Sequence, residues 1–125
     1  MKNIIIITGG AGFIGSNLIK YLLKKTNLKI ISLDNYSTGT KKNHINHKNV
    51  KYIEGENINI AEILKRYANK IKVIFHFGEF SRIYQSFLNS NQCLNYNIKH
   101  SFEVINFAKD NKIKIIYSAT SSNLG

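Results

Sequence analysis

The chain has 125 residues, 43% of them hydrophobic, which suits one domain with its own core rather than several. The formal charge of +11 invites a polyanionic partner. The lysines are scattered, however, with short pairs only at Lys24-Lys25 and Lys41-Lys42 and no basic stripe interleaved with aromatics, so no nucleic-acid partner is expected. No apolar run approaches the roughly 20 residues of a membrane span. The single cysteine, Cys93, excludes a disulfide framework and a thiolate metal cluster, and a cytoplasmic location is expected.

Ile4-Ile5-Ile6-Ile7 reads as a strand buried on both faces, as in a parallel sheet covered by helices. It runs into the turn Thr8-Gly9-Gly10-Ala11-Gly12-Phe13-Ile14-Gly15-Ser16. Residues 16–25 place Leu18, Ile19, Leu22 and Leu23 on one face, an amphipathic helix. A second strand, 29–33, ends at Asp34, and a polar segment, 35–49, carries the turn signal Ser37-Thr38-Gly39. A third strand is expected at 50–53, a short helix at 60–67, and a fourth strand at 72–77 ending at Gly78. A helical region at 84–87 precedes a longer helix at 92–109, whose core stripe reads as Leu94, Ile98, Phe102, Ile105 and Ala108. The fifth strand is 114–118. This alternation predicts an α/β fold: a Rossmann-type doubly wound parallel sheet of order 3-2-1-4-5 in three αβα layers. Residues 1–125 form one domain in this reading. A fold of this kind normally continues past the fifth strand, so the chain reads as truncated there.

The glycine turn carries the chemistry. Gly9, Gly12 and Gly15 recur at three-residue spacing, and Gly10-Ala11-Gly12-Phe13-Ile14-Gly15 satisfies G-x-G-x-x-G. Glycine at these places allows a tight turn, close approach of the backbone to a pyrophosphate, and close packing of helix on strand. The N-terminal end of the following helix then receives the anion. Asp34 lies 19 positions beyond Gly15, the spacing of an acid that accepts hydrogen bonds from the adenosine ribose. A carboxylate there disfavours a 2′-phosphate, so NAD is expected over NADP.

The signature Thr8-Gly9-Gly10-Ala11-Gly12-Phe13-Ile14-Gly15, the pair Asp34-Asn35, a strand ending in His76 and a fifth strand leading to a Ser/Thr cluster resemble one known group. The whole chain is similar to the N-terminal half of the extended short-chain dehydrogenase/reductase superfamily. Within that group, the match is to NAD-dependent sugar-nucleotide epimerases and dehydratases of the UDP-glucose 4-epimerase type. The resemblance implies a nucleotide-sugar substrate, a hydroxyl of which is oxidised by transient hydride transfer to bound NAD, and a homodimer in the full-length enzyme. It implies that Phe13 and Ile14 cover the pyrophosphate and that Asp34 holds the ribose, while Asn35 and Ser37, Thr38 and Gly39 line the same pocket. Phe77, Gly78, Glu79 and the residues up to Ser81 run along the nicotinamide half, with Asn97 near the cofactor. Thr120, in Tyr117-Ser118-Ala119-Thr120-Ser121-Ser122, takes the place of the family's catalytic Ser/Thr. Epimerase is preferred over dehydratase.

Departures from that pattern are specific. Phe77-Gly78-Glu79 replaces a small apolar pair after the strand-4 His, and Gly55-Glu56-Asn57-Ile58 replaces Gly-Asp-Ile/Leu, leaving Glu56 and Asn57 as alternatives for meeting the adenine. The Tyr-x-x-x-Lys base is expected downstream of Gly125; a chain complete at 125 residues would instead be a non-catalytic dinucleotide-binding module. Tyr21-Leu22-Leu23-Lys24-Lys25 matches that motif literally, but Tyr21 lies about 9 Å along the helix beyond Gly15. His44-x-x-His47 lacks a clear third ligand and reads as a solvated loop, so no metal is expected. His76 reads as structural, Cys93 as inert, and Glu54 with Glu56 as unpaired carboxylates.

Overall fold

The computed structural model describes residues 1–37, 39–77 and 91–117, with 91–98 described as helical backbone only. The strands are β1 (Ile4–Thr8), β2 (Lys29–Asp34), β3 (Val50–Glu54), β4 (Ile71–His76) and β5 (Lys114–Tyr117). The helices are α1 (Phe13–Lys25), α2 (Ile60–Ile63) and α3 (Asn91–Asp110). All neighbouring strands pair in parallel, in the order β3-β2-β1-β4-β5. This is the doubly wound Rossmann order, and both flanking layers are occupied.

Alternation along β1 and β2 divides the core. Ile4 and Ile6 with Ile31 and Leu33 face α2 and α3, meeting Ile60, Leu64, Val104 and Phe107. Ile5, Ile7 and Ile30 face the other way, against Ile19 of α1. A strand buried on both faces needs isoleucine at successive positions, which is why β1 has no polar alternation. Register puts Thr8 beside both Leu33 and His76, and Asp34 beside Glu54. The carboxyl ends of β1, β2, β3 and β4 therefore share one edge of the sheet.

Two expected elements differ in form. The helix expected at 60–67 is α-helical only over Ile60–Ile63, flanked by 3₁₀ turns at Asn57–Asn59 and Lys65–Lys70. After Leu64 the chain tightens, Tyr67 N–H donating to Leu64 O at 2.9 Å, and Tyr67 and Ala68 pack on the core that Ile60 and Leu64 begin. The core stripe of α3 is also corrected. Its buried face is His100, Val104, Phe107 and Ala108, whereas Phe102 is 56% exposed and Ile105 40% exposed. Apolar residues lie on two strips of this helix, and the buried strip is disguised by a histidine. Leu94 and Ile98 lie outside the described side chains, and the helical region at 84–87 outside the described residues.

The two phenylalanines of α3 separate the strips experimentally. Phe107→Ala is expected to cost about 3–5 kcal/mol of stability, and Phe102→Ala no more than about 0.5 kcal/mol. Urea-unfolding midpoints measure both, and equal losses would contradict the assigned face.

Candidate functional site

The site grows from the end of β1. Gly9 adopts φ 74°, the left-handed region that favours glycine, and its N–H donates to Leu33 O at 2.8 Å. The chain then doubles back, Gly12 N–H donating to Gly9 O at 3.1 Å, before α1 begins. A Cβ on Gly15 would strike the Gly9 carbonyl oxygen and sit 2.8 Å from Gly10 Cα, so only glycine lets α1 pack this close to the turn. A Cβ on Gly10 would strike the Ser32 side chain of β2. Gly12 faces the other way: a Cβ there meets only Gly9 O, at 3.4 Å, and the space beside it is open.

That open side is the N-terminus of α1. No side chain caps the helix at Gly12, and its first turn contains no acidic residue. The leading N–H groups thus present uncompensated donors and the positive end of the helix dipole. Phe13 and Ile14 extend exposed side chains there, while Ser16 N–H closes the first helical bond on Gly12 O at 2.9 Å. The arrangement is a receptor for an anion.

Asp34 flanks it. The carboxylate is buried, Oδ2 accepting from Ala11 N–H at 3.0 Å and Oδ1 from Tyr36 N–H at 2.8 Å. Each oxygen keeps a further lone pair for an incoming donor. Beside it lies a small cleft lined by Gly9, Leu33, Asp34, Asn35, Gly55 and Asn57. Glu56 turns elsewhere. Its Oε2 accepts from Asn35 Nδ2 at 3.1 Å and stands 3.8 Å from Nδ1 of buried His100 on α3. Asn57, itself buried, is the member of the pair that lines the cleft. Asn35 Oδ1 accepts from Ser37 N–H at 3.0 Å, shaping the loop that leaves β2.

Gly39 returns that loop to the turn: a Cβ on it would lie 2.8 Å from the Ala11 carbonyl carbon. The Ala11 carbonyl oxygen accepts from Thr40 N–H at 3.1 Å and from Asn43 Nδ2 at 2.7 Å. Farther along, Tyr36, with φ 61°, shares a 2.6 Å hydrogen bond with His44 Nε2, and His44 stacks on Tyr52 with ring centres 3.8 Å apart. Burial, then the Asp34 and Glu54 carboxylates, push the Tyr36 phenol above its usual range. His47 Nδ1 accepts from Asn49 N–H at 3.0 Å. The two histidines of His44-x-x-His47 thus serve the loop itself, and no three metal-ligating side chains converge among the described residues.

At the end of β4, His76 Nδ1 and Thr8 Oγ1 share a 2.6 Å hydrogen bond, and Nε2 faces Ser101 Oγ at 3.3 Å. Burial pushes the His76 imidazole down to about 4. Phe77 N–H donates to both the carbonyl and the hydroxyl oxygen of Thr8, at 3.1 and 3.0 Å. Phe77 therefore leaves the sheet from a fixed point beside the glycine turn. Tyr21 is exposed on α1, with Lys25 Nζ 5.8 Å from its ring centre. Its literal Tyr-x-x-x-Lys motif is a surface cation–π pair.

The structure thus brings Gly9, Gly12, Phe13, Ile14, Gly15, Asp34, Asn35 and Gly39 together, with Phe77 on the neighbouring strand end. Ser37 is exposed on the loop beside them. Thr38, Gly78, Glu79 and Thr120 lie outside the described residues, and Asn97 is placed only as backbone of α3. Sequence reasoning missed Ala11 and Asn43. One acts through its backbone and the other sits in an unpatterned polar loop.

A family model described as the NAD dependent epimerase/dehydratase family matches residues 5–125. The chain belongs to that family. ADP-L-glycero-D-manno-heptose-6-epimerase of Brachyspira hyodysenteriae is 31% identical over 124 residues, covering 97% of this chain and 38% of that protein. UDP-N-acetylglucosamine 4-epimerase from Methanobrevibacter ruminantium, solved with UDP-N-acetylmuramic acid, superposes with a TM-score of 0.75 at 27% identity. That match covers 92% of this chain and 37% of the other. The fold is also that of DesIV, a dTDP-glucose 4,6-dehydratase from Streptomyces venezuelae solved with NAD and TYD, with a TM-score of 0.76 at 23% identity. It covers 90% of this chain and 38% of DesIV. The chain therefore spans under two fifths of the length of these relatives. NAD is the cofactor of the family, and the uncapped α1 terminus, open Gly12 and the free lone pairs of Asp34 fit it.

The depressed His76 fixes a pH dependence. An unfolded histidine takes a proton near pH 6.5, but folded His76 refuses it until about pH 4. Stability therefore falls as pH drops from about 6.5 to about 4, by about 3 kcal/mol in all, and His76 adds no further slope outside that window. His76→Gln is expected to flatten the curve in this range. Urea titrations at several pH values measure it, and an unchanged slope would contradict the assignment.

Proposed function

We propose that this chain is the NAD-binding part of an enzyme acting on a nucleotide-activated sugar, with epimerisation the favoured outcome. The observation that carries the proposal is the pairing of an uncapped, acid-free helix N-terminus with the buried carboxylate of Asp34 across one turn. The names of the 31%-identical heptose epimerase and the 27%-identical UDP-N-acetylglucosamine epimerase support an activated sugar as substrate. When bound, NAD supplies a hydride acceptor that also returns the hydride.

The residues divide the work of holding it. The Phe13 and Ile14 N–H groups take the pyrophosphate over the open face of Gly12. Asp34 accepts the adenosine ribose hydroxyls on its remaining lone pairs. Asn57, the member of the pair that lines the cleft beside Asp34, meets the adenine. Phe77 begins the segment along the nicotinamide half, with Gly78, Glu79 and Asn97 near it. Thr120 donates a hydrogen bond to the reacting sugar oxygen and orients the base. That base is assigned to the rest of the enzyme, since Tyr21 and Lys25 are spent on the surface of α1. The full-length enzyme is a homodimer in this proposal.

Asp34→Ala is expected to weaken NAD binding about 10- to 100-fold, the loss of one or two hydrogen bonds to a charged group. Isothermal titration checks this, and unchanged affinity would remove Asp34 from the site. In the full-length enzyme, Thr120→Val should cut turnover far more than NAD affinity. Wild-type turnover in that variant would show the role of Thr120 to be wrong.

A further inference from the structure

The polar loop after β2 reaches the glycine turn, and the geometry points to Asn43 as a positioning residue for the pyrophosphate cradle. The inference rests on the dinucleotide reading and assigns one of its supports. Residues 41–43 form a 3₁₀ turn, opened by Thr40, whose Oγ1 accepts from Lys42 N–H at 3.2 Å. In a 3₁₀ turn, residues three apart lie one above the other. Thr40 N–H and the Asn43 amide therefore reach one acceptor together: the Ala11 carbonyl oxygen, at 3.1 and 2.7 Å.

The strap is anchored at both ends. Gly39 presses on Ala11 so closely that a Cβ would lie 2.9 Å from the Ala11 carbonyl oxygen. His44, next after Asn43, is held between the Tyr36 hydroxyl and the Tyr52 ring of β3. The Asn43 side chain is thus delivered to the turn by a loop tied to two strands.

The Ala11 carbonyl matters because it shares a rigid peptide plane with the Gly12 nitrogen. Its direction sets where the following amides of α1 point. The other side of Ala11 is already fixed, its N–H donating to Asp34 Oδ2. A turn with glycine at 9, 10, 12 and 15 has much conformational freedom to lose when an anion binds. Holding Ala11 from both sides removes part of that loss beforehand, which raises affinity without Asn43 touching the ligand.

The test separates phosphate from nucleoside. ADP, NAD and adenosine are titrated into the purified wild-type protein and into Asn43→Ala and Asn43→Leu, the second keeping the side-chain bulk without the donor. Both variants should bind ADP and NAD more weakly, by at most about five- to tenfold, the ceiling set by one neutral hydrogen bond, and bind adenosine as wild type does. Unchanged ADP affinity in both overturns the inference, as does an equal loss for ADP and adenosine, which marks general loosening. A wild-type protein that binds neither ADP nor NAD overturns the dinucleotide reading itself, and the role of Asn43 with it.

Discussion

The site depends on one hydrogen bond, from the Ala11 amide to the Asp34 carboxylate. It joins the glycine turn after β1 to the end of β2, one step beyond the last ladder bond, Gly9 N–H to Leu33 O. A buried carboxylate is costly unless it accepts hydrogen bonds, and the amides of Ala11 and Tyr36 meet that need. The same bonds aim what remains of the carboxylate outward. Together the two bonds keep the carboxylate satisfied where it is buried, and the Ala11 bond also shapes the turn.

The sheet supplies the frame on which this bond forms. Isoleucine-rich β1 is the central strand, paired on both sides and buried on both faces, so its end cannot drift relative to β2 or β4. On the β4 side, Thr8 takes over the role of a tie, meeting both His76 and Phe77. The two ties hold opposite flanks of the glycine turn: Asp34 on the side where the adenosine is proposed to lie, Thr8 and His76 on the side proposed for the nicotinamide. The neutral, buried state of His76 belongs to this framework rather than to proton transfer, since a group pushed down to about 4 remains unprotonated at neutral pH.

The parts of the structure visible in the sequence are those where one residue type alone satisfies the geometry. Gly9 at positive φ, Gly15 under the Gly9 carbonyl and a carboxylate at the end of β2 each leave a mark that spacing makes readable. The strand order follows from alternation and handedness, which involve no individual contact. The contact between Ala11 and Asn43 leaves no such mark, because a backbone carbonyl can belong to any residue and an asparagine in a polar loop is unremarkable. Part of the core face of α3, at 102 and 105, departs from the hydrophobic pattern for a related reason. Hydrophobicity favours Phe102 and Ile105, whereas the helix buries His100, its Nδ1 3.8 Å from Glu56 Oε2, together with Val104. The proposed preference for Asn57 over Glu56 rests on which of them lines the cleft beside Asp34, which spacing cannot supply.

The central claim, that an amide cradle and a carboxylate joined through Ala11 form one dinucleotide site, is tested most directly by titrating NAD into the ¹⁵N-labelled protein and following backbone amides. The account predicts the largest shifts at Phe13, Ile14 and Gly15, with a second group at 34–36 and 55–57 moving at the same NAD concentrations. Shifts confined to other surfaces, or two groups that saturate independently, would contradict it.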